Sequence, residues 1–327
     1  MSTPSETRLE AAVLVDSEYV EQWQRNALVE LVTEVDVEIT TVVVNDRDTD
    51  TDPGRGPWSF LWAASERVRT YPLWSLVGVA RLLAATPDYE RLVPIDSVAG
   101  VSDTEWISCS AECTDGHWST LPEDAVEQVA ETDIVVRFGF GMIKGDVLDA
   151  PTYGVLSYHM GDIREYRGQP GGFWEFCNGE NRMGVTVQRL TDTLDGGEIA
   201  ALERFDIEEA NTWQEVWTRA HHRADGMLVP AVRALVEPDQ SVTRPDDIGT
   251  LYSMPEGSDV LRYVAKNTRG RLRNRLERSD EAWRPPAPHL LLLAGVVLLA
   301  VGVVRAVAGG TESTAPSGVI QRASRCP

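Results

Sequence analysis

The chain has 327 residues, 43% of them hydrophobic, and carries 51 acidic against 30 basic side chains for a formal net charge of −21. A chain this long and apolar buries a real core, is not disordered by composition, and is expected to form one large or two modest domains. The acidity reads as a solvated surface of the halophilic kind, and it argues against a nucleic-acid partner, which wants a basic face.

The first ten residues are polar, so no signal peptide is expected. Leu9 to Val15 (LEAAVLV) predicts a strand, Ser17 or Glu18 opens a helix through Val32, and the β-branched run Val35 to Val44 predicts a second strand. This β-α-β opening predicts a parallel sheet. The first strand runs into Asp16-Ser17-Glu18 rather than a glycine-rich turn, so no phosphate cradle is expected there. Asp46 to Gly56 reads as a surface loop, Trp58 to Ala85 as a long helical stretch, and Trp106 to Cys109 as a short strand. Cys109, Cys113 and His117 are spaced by four, but their segment reads as strand end and loop and shows no fourth ligand. The cysteines are read as buried or half-buried free thiols, suited to a reducing compartment, and no metal is assigned. Pro122 starts a helix over Glu123 to Glu131 whose first-turn acids suit the helix dipole. Asp133 to Phe138 is a strand, and Gly139 and Gly141 after it let backbone approach a flat ligand.

The stretch from Tyr153 to Ile199 is the most informative. A strand over Gly154 to Tyr158 ends at His159, and a second over Val185 to Leu190 leads into Asp192-Thr193-Leu194-Asp195-Gly196-Gly197. Strands ending on a His and an Asp can aim both into the crevice beyond the carboxyl ends of an open α/β sheet. Such a pair moves protons near neutral pH. Taken singly, His159 also reads as a loop histidine and Asp195 as turn chemistry. Phe173 to Cys177 begins a helix, and another runs from Thr212 to Val236; His221 and His222 on it are assigned no role.

This ordered set resembles the formyltransferase family that uses 10-formyltetrahydrofolate, carried by His159, Tyr166-Arg167-Gly168 and the Asp192 to Gly197 loop at matching offsets. Residues 133–148 are similar to that family's strand and folate-contacting loop, and Thr250 to Ala265 to the segment following its catalytic domain. The resemblance implies His159, Asp195 and Ser157 as catalytic residues, with Ser157 standing where the family has an Asn that donates to the developing oxyanion. It implies Gly141, Met142, Ile143, Asp192, Thr193 and Leu194 as the folate-binding residues, and Arg167 as a lock on the loop. The family's Pro-Ser after the His is Met160-Gly161 here, and a further His of some relatives is Gln188. The implied activity is formyl transfer from 10-formyltetrahydrofolate to the primary amine of a small molecule, such as a nucleotide-linked amino sugar. A formyltetrahydrofolate hydrolase and a non-catalytic, membrane-tethered binding protein are the alternatives.

The expected fold is α/β: a Rossmann-like, mostly parallel sheet with helices on both faces, a helical C-terminal extension and a C-terminal transmembrane helix. Residues 1–206 are assigned to the catalytic domain, 207–286 to the extension, 287–308 to the membrane segment and 309–327 to a polar tail. Leu290 to Val304 carries no charge, and the basic run from Arg262 to Arg278 before it places the catalytic domain on the cytoplasmic side of the membrane.

Overall fold

A computed structural model describes residues 8–46, 73–74, 77–78, 86–114, 116–237 and 239–279. The expected membrane segment 287–308, and all but four residues of the helical stretch Trp58 to Ala85, lie outside these. Among the described residues no helix is long and apolar enough to cross a membrane. Of the described residues, one compact unit holds those of 8–46 and 86–254, and a second holds 73–74, 77–78 and 255–279.

The first unit opens with β1 (Leu9–Val15), β2 (Tyr19–Glu21), α1 (Gln22–Glu34), β3 (Val37–Asn45), β4 (Leu92–Pro94) and β5 (Glu105–Cys109). It continues through β6 (Glu112–Cys113), β7 (Trp118–Thr120), α2 (Glu123–Ala130), β8 (Ile134–Arg137), β9 (Met142–Ile143) and β10 (Val155–His159). The remainder is β11 (Tyr166–Gly168), α3 (Phe173–Asn178), β12 (Arg182–Arg189), β13 (Glu198–Asp206), α4 (Trp213–Ala224), α5 (Leu228–Val236) and β14 (Thr250–Tyr252). Seven strands form one sheet in the order β13-β12-β10-β8-β1-β3-β5. The ladders from β10 to β5 are parallel, whereas β12 pairs antiparallel with both β10 and β13.

The central strand β1 is apolar throughout its buried part because both faces are covered, as parallel strands require. Ala12, Leu14, Val135 and Val155 pack on one face against Ala125 and Val129 of α2. On the opposite face lie α1, α4 and α5; Trp23 of α1 meets the Tyr158 ring edge-on at 5.0 Å, and the Tyr158 hydroxyl donates to Ala224 O at 2.8 Å. Alternation along β10 therefore turns Ser157 and His159 to the other face. The chain leaves β1 toward β3 on one side and returns to β8 on the other, so β1 and β8 flank the point where strand order reverses.

Several elements differ from expectation. The helix expected from Ser17 or Glu18 starts at Gln22, because Tyr19–Glu21 pair with β4 as a strand and Glu21 closes a capping box with Gln24. The helix expected from Thr212 to Val236 is two helices, capped at Thr212 by Glu215 and parted at Asp225 to Met227. Both lie in the sheet unit, with α4 on β12 and α5 on β13, rather than in a separate extension. Strand β13 is an addition that the sequence did not signal. His221 is buried, stacked on Tyr89 at 4.5 Å with its Nδ1 2.7 Å from Trp217 O, a packing role. Cys109 is buried, and burial followed by Asp46 and Asp124 pushes its thiol up to about 11, an inert sulfur. Among the described residues no three His, Cys, Asp or Glu side chains are grouped to hold a metal.

In the second unit, α6 (Gly257–Ser279) buries Val260 and Tyr263, and the Trp74 ring lies 6.0 Å from that of Tyr263.

Candidate active site

His159 closes β10 and is 8% exposed. Its Nε2 lies 2.9 Å from Tyr166 O and its Nδ1 lies 3.5 Å from Asp195 Oδ1. A carbonyl can only accept, so Nε2 carries a proton, and the carboxylate favours a proton on Nδ1 as well. Burial pushes the imidazole toward neutrality, but the Asp195 carboxylate and the Tyr166 carbonyl outweigh it and hold its pKa above the usual value. The surroundings thus favour the imidazolium over what a free ring would show. For Asp195 burial acts upward, yet His159, the Gly168 N–H and Arg137 hold the carboxyl below its usual range.

Asp195 sits in the β12–β13 connection with φ of 44°, a left-handed conformation that an Asp tolerates better than most residues. Three contacts hold it there. The Gly168 N–H donates to its Oδ2 at 2.9 Å. Arg167 donates to Leu194 O and Gly249 O, each at 2.8 Å, so it locks the loop through carbonyls as expected. Gln188, opposite Ser157 across the β10–β12 ladder, accepts from Gly197 N at 3.0 Å. The turn after His159 is fixed by Asp162, which accepts from Arg164 Nε at 3.0 Å and Arg204 Nε at 2.6 Å. Both guanidinium groups hold that carboxyl below its usual range against the opposing effect of burial.

Ser157 is 3% exposed, and its Oγ accepts from Arg137 Nη1 at 2.6 Å. Arg137 ends β8 and also donates through Nη2 to Gly141 O, while its buried Nε has no partner. Sequence reading passed over Arg137 as part of a strand. The available signal was a lone charge closing the apolar run Ile134-Val135-Val136, at the strand end that faces the crevice. Glu175 was also missed. It is 3% exposed on α3, its Oε1 has no partner, and burial pushes its carboxyl up to about 7 against the opposing charge of His159.

The expected folate residues divide in two. Asp192 lines a cavity of about 240 Å³ together with Leu148, Asp149, Gly154, Arg189 and Leu190. Thr193 and Leu194 belong to the same loop, which Arg167 holds through Leu194 O. Gly141, Met142 and Ile143 are not among the cavity's walls. Ile143 is 2% exposed in the core beneath α2, and Met142 pairs with Trp118, so that segment offers backbone rather than side chains.

Residues 119–232 match the profile of the formyl transferase family. His159, Asp195, Ser157, Arg137, Arg167 and Glu175 all fall within that segment. The chain is 25% identical over 154 residues to the methionyl-tRNA formyltransferase of Rickettsia massiliae (strain Mtu5), covering 46% of this chain and 47% of that one. It is 28% identical over 118 residues to the methionyl-tRNA formyltransferase of Bacillus cytotoxicus, covering 35% and 38%. The chain thus spans less than half the length of these curated relatives. The solved N-formyltransferase of Helicobacter canadensis, in complex with folinic acid and dTDP-3-aminofucose, aligns at 11% identity over 80% of each chain with a TM-score of 0.47.

Proposed function

We propose that the protein transfers a formyl group from 10-formyltetrahydrofolate to the primary amine of a small molecule. The observation that carries this reading is the His159–Asp195 pair, held by Gly168 and Arg167 inside a formyl transferase segment. The 3.5 Å separation of Nδ1 and Oδ1 exceeds a usual hydrogen bond, so the Nδ1–H remains able to donate to a substrate oxygen. In the reaction the amine lone pair forms a bond to the formyl carbon, and the carbonyl electrons move onto oxygen. The imidazolium stabilises that oxygen. Asp195, the carboxylate beside His159, takes the amine proton. The bond from carbon to N10 then breaks and the proton ends on N10, giving a formamide and tetrahydrofolate. The cavity beside Asp192 offers carboxylates, a guanidinium and backbone groups to a flat heterocycle with several donors and acceptors.

The curated relatives are named for methionyl-tRNA, but a formal charge of −21 disfavours a long polyanion. A small amine is the better acceptor for this chain, and nucleotide-linked amino sugars are the first class to test. The decisive experiment follows tetrahydrofolate production from 10-formyltetrahydrofolate with and without candidate amines, in the wild type, His159→Ala and Asp195→Asn. The expected result is amine-dependent turnover that falls at least about 100-fold in both variants, with their far-UV spectra unchanged. Formate release without any amine identifies a hydrolase instead. Full turnover in both variants removes the reading.

We also propose that residues 287–308 anchor the protein in a membrane with the catalytic unit on the cytoplasmic side, on the strength of their apolar run and the arginines that precede it. Recovery of the full chain in the soluble fraction, free of detergent, would end that proposal.

A further inference from the structure

Among the described residues, two buried donors at this site have no acceptor. Ser157 Oγ receives Arg137 Nη1 at 2.6 Å, so its own O–H must point elsewhere, and no described residue accepts it. The Nε–H of Arg137 is buried without a partner. Buried polar groups are nearly always satisfied, and a charged donor left unpaired costs stability, so the arrangement is not explained by folding. Among the described residues no carboxylate forms a contact ion pair with this guanidinium. Asp16 and Asp195 act on it electrostatically, but Asp16 Oδ1 is engaged by Phe140 N at 2.7 Å and by Asn45 Nδ2 at 3.2 Å. Ser157 stands two residues before His159 on the same face of β10, and Gln188 opposite it already accepts from Gly197 N. A hydroxyl whose lone pair is taken by a cation is a polarised donor, stronger than a serine hydroxyl alone.

We propose that Ser157, charged by Arg137 across the β8–β10 ladder, donates to the formyl oxygen as the amine nitrogen bonds to the formyl carbon and the bond to N10 breaks. Ser157 is then a catalytic residue, and Arg137 a positioning residue that acts through it. The pair supplies with a hydroxyl and a cation what a carboxamide supplies elsewhere in the family. This inference rests on the formyl-transfer reading. It differs from that reading in requiring Arg137 and Ser157 to act as one unit.

The test is a double-mutant cycle on the full chain with Arg137→Leu, Ser157→Ala and their combination, measuring kcat and KM for 10-formyltetrahydrofolate. Each single change is expected to lower kcat by about 100-fold with little change in KM, and the double change to be no worse than either single one. Arg137→Lys, which keeps the charge and the fold, is expected to retain intermediate turnover. Millimolar guanidinium should raise the kcat of Arg137→Ala and leave that of Ser157→Ala unchanged. Multiplicative losses in the double variant, absence of guanidinium rescue, or unchanged kcat with lowered thermal stability overturns the proposal while leaving formyl transfer in place. A wild type that consumes no 10-formyltetrahydrofolate overturns both.

Discussion

The backbone N–H of Gly168 donates to Asp195 Oδ2 at 2.9 Å, leaving Oδ1 to face His159. One short motif therefore aims the carboxylate while its neighbour Arg167 fixes the loop that carries it. Arg167→Lys keeps the charge but cannot reach Leu194 O and Gly249 O together. It is expected to cost about 1–2 kcal/mol in urea unfolding and to raise KM for the formyl donor, since the Asp192 to Asp195 loop loosens. Unchanged stability and KM would show that the loop holds itself.

The His159–Asp195 pair makes stability depend on pH with a definite sign. His159 titrates above its usual value, so its contribution is complete below about pH 6.5 and is lost as pH rises through the folded value. Asp195 titrates below its usual value, so its contribution is present above about pH 4 and is lost as pH falls through the folded value. Asp195→Asn should therefore cost roughly 2 kcal/mol at pH 6 and less at pH 9, since the imidazolium population falls as pH rises. Chemical denaturation at the two pH values measures this; an equal loss at both argues that the ion pair contributes nothing.

Glu175 predicts the opposite slope. Its carboxyl titrates at about 7 in the folded protein against an ordinary 4.5. The folded state holds the extra proton between those values, so stability falls as pH rises from about 4.5 to about 7 and stays low above. Glu175→Gln is expected to stabilise by about 2–3 kcal/mol at pH 8 and to be close to neutral at pH 4. A variant less stable than the wild type at pH 8 would mean that the ionised carboxylate has a partner.

Gly161 is fixed by the position of His159. A Cβ added there would lie 2.7 Å from His159 Nε2 and 3.0 Å from Tyr166 O, too close for the ring to keep its hydrogen bond. Gly161→Ala should lower turnover at least about 10-fold with a stability loss of about 1–2 kcal/mol. Wild-type turnover in this variant would show that the Tyr166 carbonyl does not set the ring.

Much of the fold follows from local pattern. The apolar run Leu9–Val15, the β-branched Val37–Asn45 and the strand ending at His159 each declare themselves by composition and by the turn residues that flank them. Strand β13 does not. It lies at the sheet edge, where Glu203 and Arg204 are solvated, and Ala200-Ala201-Leu202-Glu203-Arg204 has the composition of a helix. The break between α4 and α5 was likewise hidden, because an isolated glycine such as Gly226 can sit inside a helix unless packing decides otherwise.

Because β12 runs antiparallel to β10, its end lies beside Val155, and only the return of the loop after Arg189 brings Asp195 to His159. What the chain alone records is the order and the offsets of His159, Tyr166 to Gly168 and Asp195. Those are statements about spacing along the chain, and spacing is what a sequence records. The tertiary structure decided which buried groups meet. Arg137 reaches Ser157 from 20 residues away on a neighbouring strand. Glu175 Oε1 is left without a partner only because α3 folds it inside. Desolvation and non-local hydrogen bonding give these groups their chemistry, and neither exists until the sheet has formed.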